Sequence, residues 1–225
     1  MNLTLFDLDN TLLSGDSDFE WAQFLIEKGA IDRELHEAKN LAFYNQYKAG
    51  TLDIDEFLDF QLKPLARHSR KTLDRWHDEF MRYRVRGMMG QAAQELVARH
   101  RAAGDVCIII TATNSFVTAP IAQAFGVDHL IATEPEQKDG EFTGRVAGIP
   151  CFRDGKVIRL EDWMGRHGRS WNSFGETVFY SDSLNDLPLL CKVKIPIAVD
   201  PDDTLRAHAE QHGWRIISLR QEPPG

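Results

Sequence analysis

The sequence predicts an α/β protein, a parallel sheet flanked by helices and interrupted by one helical insertion. Three observations carry this expectation. The chain opens on an apolar run, Leu3-Thr4-Leu5-Phe6, that breaks off in Asp7-Leu8-Asp9-Asn10-Thr11. From Gly90 onward helical patterns alternate with short apolar, β-branched runs, the arrangement that builds a parallel sheet. Between these two parts, residues 16–86 carry their apolar side chains at helical spacing.

Taken in order, Leu3, Leu5 and Phe6 suit a short strand buried in such a sheet. Phe19, Trp21, Phe24 and Leu25, then Leu35, Ala38, Leu41 and Ala42, then Phe57, Leu58, Leu62 and Leu65 follow with helical periodicity. Breaks at Lys28-Gly29, Ala49-Gly50-Thr51 and Lys63-Pro64 divide the insertion into about four helices. The last, near residues 73–85, is basic through Arg67, Arg70, Lys71, Arg75, Arg82, Arg84 and Arg86. That stretch is a solvated face or a patch turned toward substrate or membrane. A helix over 92–101 then leads to a strand at 106–110 and a helix over 116–125. Lys138-Asp139-Gly140 marks a hairpin within 130–152. A helix over 157–165, a strand at 177–180, a short helix at 187–190 and a strand at 195–199 complete the expected core, and the chain ends in Pro223-Pro224-Gly225.

The 225 residues allow one core and a smaller appendage, and 43% apolar content is that of an ordinary globular protein. A formal charge of -8 argues against a general nucleic-acid binder, which needs a basic face. An anionic substrate stays open, because a bound divalent cation reverses the local sign. Cys107, Cys151 and Cys191 are far apart and form no C-x-x-C, so neither a disulfide framework nor a zinc site is expected and a reducing cytosol fits. No charged-then-apolar leader precedes Leu3, and no apolar stretch approaches the about 18 residues of a membrane span. The expectation is a soluble, cytoplasmic monomer or homodimer without nucleic-acid partner or stable membrane association.

In open α/β sheets ligands collect beyond the carboxyl ends of the strands, where several segments deliver chemistry. Asp7 and Asp9 stand at the end of the first strand. Carboxylates so close repel unless a cation lies between them, and hard oxygen ligands suit Mg²⁺; an Asx-type turn uses the same residue types. A second strand ends in Thr111-Ala112-Thr113-Asn114 before a helix, joining a hydroxyl, backbone amides and a helix N-terminus as phosphate binding requires. A helix cap by Thr113, Asn114 or Ser115 is the simpler reading of those residues alone. A third strand stops at Ser181-Asp182-Ser183-Leu184-Asn185-Asp186. Asp182 there can complete a metal site with Asp7 and Asp9, and Asp186 can hold a metal-bound water or orient a lysine. Lys156, in Arg153-Asp154-Gly155-Lys156-Val157 at a helix start, is by itself an ordinary surface lysine. A phosphoryl-transfer site, however, needs a nucleophile, a cation and a fixed positive charge, which Asp7, Mg²⁺ and Lys156 would supply.

Asp7-Leu8-Asp9-Asn10-Thr11, Thr111, Lys156 and Asp182-Ser183-Leu184-Asn185-Asp186 together resemble the ordered motifs of the haloacid dehalogenase superfamily of phosphatases, across the span from Leu3 to Val199. The position of the insertion resembles the phosphoserine-phosphatase-like branch, which implies a three-layer Rossmann-like core (residues 1–15 and 87–225) with an α-helical cap domain (residues 16–86). Trp21, Thr111-Ala112-Thr113, Lys138-Asp139-Gly140 and Tyr180-Ser181-Asp182-Ser183 resemble a bacterial subgroup associated with histidinol phosphate, phosphoserine or lipid phosphate hydrolysis.

The resemblance implies that Asp7 is the nucleophile, giving an aspartyl-phosphate, and that Asp9 is the acid for the leaving alcohol and then the base for water. It implies Mg²⁺ held by the Asp7 carboxylate, the Asp9 carbonyl and Asp182, with Asp186 behind them. Thr111 would bond a phosphate oxygen, Lys156 would bind phosphate and Asp7, and the amides of Leu8 and Asp9 would complete a cradle bordered by Ala112, Thr113 and Asn185. Two departures stand out. Ser181 replaces a common Gly, which is expected to affect loop packing more than chemistry. Ala112-Thr113 replaces a Gly-Gly pair, which argues against phosphoserine because those glycines permit close backbone approach. An acid/base carboxylate such as Asp9 is not needed by true dehalogenases and favours phosphate chemistry.

Asp16, Asp18, Glu20 and Trp21 lie within two turns of the hinge after Leu13. Facing the site, the acids suit an ammonium or imidazolium on the substrate, histidinol phosphate foremost, and Trp21 stacks on it. Facing away, Trp21 and Phe24 form the core of the insertion and the acids serve a helix N-terminus. The rival readings are a lipid or lysolipid phosphatase approaching an anionic membrane through the basic helix, a phosphate-binding regulatory protein without turnover, and a phosphomutase using the same aspartates.

Overall fold

The computed structural model describes residues 1–220, apart from the side chain of Lys48; the Pro223-Pro224-Gly225 tail lies outside the described residues. The chain runs through β1 (Leu3–Phe6), α1 (Ser17–Glu27), α2 (Arg33–Ala49), α3 (Ile54–Leu62) and α4 (Arg70–Phe80). It continues through α5 (Gln91–Ala102), β2 (Val106–Asn114), α6 (Ser115–Ala124), β3 (His129–Thr133) and the hairpin β4 (Pro135–Lys138) and β5 (Glu141–Val146). Then come α7 (Asp154–Arg166), β6 (Thr177–Ser181), α8 (Leu187–Leu190), β7 (Ile195–Val199), α9 (Asp203–His212) and β8 (Arg215–Ile217).

Six strands form a parallel sheet in the order β3-β2-β1-β6-β7-β8, with β1 inside it between β2 and β6. Every residue of β1 is buried, which explains why it reads as an unbroken apolar run. On one face Phe6, Ile109 and Tyr180 pack with Val97 of α5 and with Val117 and Ile121 of α6. On the other, Leu3, Leu5, Ile110 and Phe179 pack with Leu160 of α7, Leu190 of α8 and Leu205 of α9. The result is the expected three-layer, Rossmann-like arrangement.

The inserted helices lie between β1 and β2. Asp16, Asp32, Asp53 and Ser69 each accept backbone N–H bonds at the start of α1 to α4, which fixes where these helices begin. Trp21, Phe24 and Phe80 belong to the same apolar cluster as Phe116 of α6, so α1 and α4 share a core with one face of the sheet. α2 and α3 instead join through His36 on Phe60 and Phe43 on Phe57. The two chain crossings meet where Leu13 bridges Met89 and the Ser14 amide donates to the Met88 carbonyl at 3.0 Å.

At the hairpin Asp139 and Gly140 both take positive φ, 53° and 85°, the primed turn that an Asp-Gly pair favours. β2 runs on to Asn114, beyond the expected end at 110, and β3, α9 and β8 were not anticipated. α9 buries only Leu205 and Ala209 among its ten residues and β8 is three residues long, so neither leaves a strong periodic signal.

Candidate active site

β1 delivers Asp7 in extended conformation, its amide donating to the Tyr180 carbonyl of β6 at 2.9 Å. A wide turn follows, closed by the Leu13 amide on the Leu8 carbonyl at 2.9 Å and passing through Asn10 at φ 58°. The buried Asp7 carboxylate accepts from Lys156 Nζ at 2.8 Å on one oxygen and faces Thr11 Oγ1 at 3.1 Å on the other. Lys156 comes from the first turn of α7, where a Cβ on Gly155 would stand 2.1 Å from the Pro150 carbonyl oxygen. Only glycine lets that turn sit so close and bring the lysine inward. Lys156 is 3% exposed and also reaches Asp186, at 2.6 and 2.7 Å from its two oxygens. Burial disfavours the ammonium, but Asp186 and then Asp7 outweigh it and hold the lysine charged, above its usual range.

Asp9 is half-buried and turned the other way. It accepts from the Ser17 amide at 2.6 Å and from Thr113 Oγ1 at 2.8 Å, with Thr111 Oγ1 at 3.5 Å. Burial and the neighbouring Asp16 push its carboxyl up to about 6, against the pull of Ser17 and Thr113. The end of β2 thus holds Asp9 through two hydroxyls, and Thr111 Oγ1 accepts from the Thr113 amide at 3.2 Å.

From β6, Asp182 and Asp186 enter beside them. Thr11 Oγ1 lies 3.0 Å from Asp182 as well as 3.1 Å from Asp7, and its single proton serves one of them at a time. Burial, then Asp7 and Asp186, hold the Asp182 carboxyl well above the usual range. Asp7 is also raised, by burial against the pull of Lys156. Asp186 is raised to about 6 by burial, against Lys156. Ser181 Oγ donates to Asp186 at 2.7 Å. The serine at the expected glycine position therefore touches the charge network directly, a contact that a glycine could not make.

Among the described residues Asp7, Asp9, Asp182 and Asp186 face one buried lysine, Lys156, and this surplus of hard, negative oxygen fits a divalent cation such as Mg²⁺. No three acidic, imidazole or thiol side chains among the described residues are already gathered as a metal cage. A donor set of the Asp7 and Asp182 carboxylates with the Asp9 carbonyl, completed by water, is compatible with that, since Mg²⁺ commonly keeps several waters.

The other expected site residues divide. Asp16 accepts from the amides of Asp18 and Phe19 as cap of α1, and Asp18 makes no ion pair of its own among the described residues. Burial, then the neighbouring Asp16 and Asp9, hold the Asp18 carboxyl well above its usual range, so the three acids lie near one another. Glu20 is ion-paired to Arg84 at 3.0 Å. Trp21 is 3% exposed, enclosed by Phe24, His77, Phe80 and Phe116, so it is a core residue and not a stacking platform. Its buried indole N–H finds no hydrogen-bond partner among the described residues, so aromatic packing alone holds the ring there. Asn185 joins the site through Ser183 at 3.4 Å and Arg153 Nε at 3.0 Å. Ala112 is half-buried beside Thr111, and Leu8 is buried in the turn.

Sequence reasoning did not single out Thr11, Ser17, Tyr47, Ser183 or Arg153 as site residues. Thr11 was within reach, since it stands four residues after Asp7 in the opening motif. Tyr47 Oη lies 2.6 Å from Ser183 Oγ, and Arg153 Nη2 donates to the Gly50 carbonyl at 2.8 Å, contacts across more than a hundred residues that leave no local signature. In the basic stretch Arg70 pairs with Asp74 at 2.7 Å and Arg84 with Glu20 and Glu27, while Arg67, Lys71, Arg75, Arg82 and Arg86 are exposed.

Comparison with known proteins gives the family of the chain. The model of the haloacid dehalogenase-like hydrolases matches residues 4–190. A histidinol-phosphatase from Neisseria meningitidis serogroup C is 44% identical over 97% of this chain and 99% of its own. A crystal structure of a protein with unknown function from Bordetella pertussis Tohama I superposes with a TM-score of 0.92 at 49% identity, covering 97% of this chain and 99% of that one. A substrate-bound phosphoserine phosphatase shares the fold, with a TM-score of 0.68 at 21% identity, covering 96% and 92%. With the family model spanning the strand that carries Asp7 through the loop that carries Asp186, the chain belongs to the haloacid dehalogenase-like hydrolases and is a phosphatase among them.

Proposed function

We propose that this phosphatase is a Mg²⁺-dependent phosphomonoesterase that works through an aspartyl-phosphate on a small cationic substrate, histidinol phosphate foremost. The observation that carries the chemistry is the division of labour between two aspartates one residue apart. Asp7 is tied to the buried ammonium of Lys156, which keeps a carboxylate available for attack. Asp9 is tied to Ser17, Thr113 and Thr111, with a carboxyl pushed up to about 6. An acid of that strength can give its proton to a leaving alcohol near neutral pH and then take one from water.

The nucleophilic Asp7 oxygen forms the bond to phosphorus as the ester oxygen leaves with the proton from Asp9. Asp9 then takes a proton from the water that cleaves the aspartyl-phosphate, releasing phosphate and regenerating Asp7. Lys156 offsets charge on the transferring group, while Asp186 and Ser181 keep Lys156 in place. Asp7, Asp182 and the Asp9 carbonyl would hold Mg²⁺, which when bound supplies charge neutralisation at the phosphoryl oxygens. Thr111, Ala112, Thr113, the Leu8 and Asp9 amides and Asn185 border the phosphate position. Residues 16–86 act as a cap that closes over the site.

For the substrate, two things converge: the acidic rim of Asp9, Asp16 and Asp18, which suits an ammonium or imidazolium, and the extended similarity to the Neisseria protein. Phosphoserine offers the same ammonium and is the alternative within this reading. A lipid phosphate phosphatase approaching an anionic membrane through the exposed Arg82 and Arg86 is the second reading, and lysophosphatidate in the substrate panel tests it. No helix among the described residues is long and apolar enough to cross a membrane. The exposed thiol of Cys191 suits a reducing cytoplasm.

Phosphate release from histidinol phosphate, phosphoserine, sugar phosphates and lysophosphatidate, with Mg²⁺ or EDTA, tests this directly. Mg²⁺-dependent turnover led by histidinol phosphate is expected, with that preference weakened in Asp16→Asn and Asp18→Asn. An unchanged preference in both variants refutes the acidic rim as the specificity element.

A further inference from the structure

Arg220 lies more than two hundred residues from the first motif, yet its guanidinium is planted on that motif's turn. Nη1 donates to the Thr11 carbonyl at 3.2 Å, and Nη2 donates to the Leu13 carbonyl at 2.9 Å and to the Asn10 carbonyl. Three acceptors within four residues of the turn converge on one side chain. The arginine is itself fixed: Asp200 faces its Nε at 3.8 Å and accepts from the Leu219 amide at 2.9 Å, and Leu219 is buried in the core cluster.

The turn needs such an anchor. Asp9 and Asn10 have non-helical backbone angles inside it, and Asn10 is left-handed at φ 58°, a conformation that a non-glycine residue keeps only when its surroundings enforce it. This strained stretch separates Asp9 from Thr11, whose hydroxyl stands between Asp7 and Asp182. A fork of donors on a planar cation is suited to gathering several carbonyls at once, which an ammonium on a flexible stem does less well.

We propose that Arg220 is a positioning residue for the phosphatase reaction: it clamps the Asn10–Leu13 turn and so fixes the direction of the Asp9 carboxyl and the Thr11 hydroxyl. The inference rests on Asp9 being the acid of the reaction, as argued above. Losing the clamp should therefore hurt most where protonation of the leaving group matters most.

The test compares wild type, Arg220→Ala and Arg220→Lys on histidinol phosphate, whose alkoxide leaving group needs a proton, and on p-nitrophenyl phosphate, whose leaving group does not. Arg220→Ala is expected to lose about 100-fold in kcat on the alkyl ester, the scale of a misplaced general acid, and only a few-fold on the aryl ester. Arg220→Lys should recover part of the loss, and millimolar guanidinium chloride, against a sodium chloride control, should partly rescue the alanine variant. Hydrogen exchange at the amides of residues 8–14 reads the clamp without turnover and should accelerate in Arg220→Ala. Equal losses on both esters, or unchanged exchange in that turn, overturn the proposal. A wild-type protein inactive on both esters would sink the functional reading instead, while the exchange experiment still decides the clamp.

Discussion

Tyr47 of α2 and Ser183 of the loop after β6 bring their hydroxyls within 2.6 Å, joining the inserted helices to the loop that carries Asp182 and Asp186. Arg153 makes a second tie close by, reaching both the Gly50 carbonyl and Asn185. The inserted helices and the acidic loop are thus fastened together beside the reacting groups. Tyr47→Phe removes one bond worth about 1 kcal/mol, so KM should rise about fivefold with kcat less affected. Steady-state kinetics on the preferred substrate measure this, and a changed kcat with constant KM would show that the contact acts on the chemistry instead.

Asp7 and Asp9 should fail differently. Asp7→Asn removes the attacking oxygen and is expected to abolish turnover. Asp9→Asn leaves the nucleophile but removes the proton relay, for an expected loss of about 10²- to 10⁴-fold on an alkyl ester. Intact-protein mass spectrometry after mixing with substrate should show a phosphoryl adduct on Asp9→Asn and none on Asp7→Asn. A fully active Asp7→Asn protein would refute the aspartyl-phosphate.

Removing Lys156 should cost stability as well as activity. Lys156→Met leaves the buried Asp7 and Asp186 facing each other without their cation, and breaking such a pair costs about 3–5 kcal/mol. For a chain of this length the melting temperature should fall by about 6–20 °C, measured by calorimetry. Gly155→Ala should lower activity through the same lysine, since its Cβ would collide with the Pro150 carbonyl and displace the first turn of α7.

Metal and pH should be linked. Asp9 and Asp186 have carboxyls raised to about 6, and Asp7 and Asp182 are raised too, whereas in the unfolded chain all four titrate near about 3.9. Between about pH 4 and 6 the folded, metal-free protein binds more protons than the unfolded chain, so its stability falls as pH rises through that window. In EDTA the melting temperature is expected to be higher at pH 5 than at pH 7.5. Mg²⁺ at a hundredfold excess over its Kd should add about 2.7 kcal/mol at pH 7.5, about 5–10 °C, and less at pH 5 where protons compete. A Mg²⁺ effect independent of pH would contradict this coupling.

The sequence by itself determined four of the six sheet strands, the insertion between the first two of them, and Asp7, Asp9, Thr111, Asp182 and Asp186 as candidate site residues, because buried parallel strands are apolar runs and chemistry falls at their ends; Lys156 stood out only in the company of those motifs. Only the tertiary structure decided which way the ambiguous side chains face. A tryptophan and an acid one residue apart on α1 read alike from sequence, and packing sent Trp21 into an aromatic core while Arg84 took Glu20. Likewise nothing local marks Arg220, Tyr47 or Arg153, since a hydrogen bond between residues a hundred or more apart depends on how layers stack and not on the pattern of either segment. Local periodicity fixes which elements form; long-range packing and buried charge fix what their side chains do.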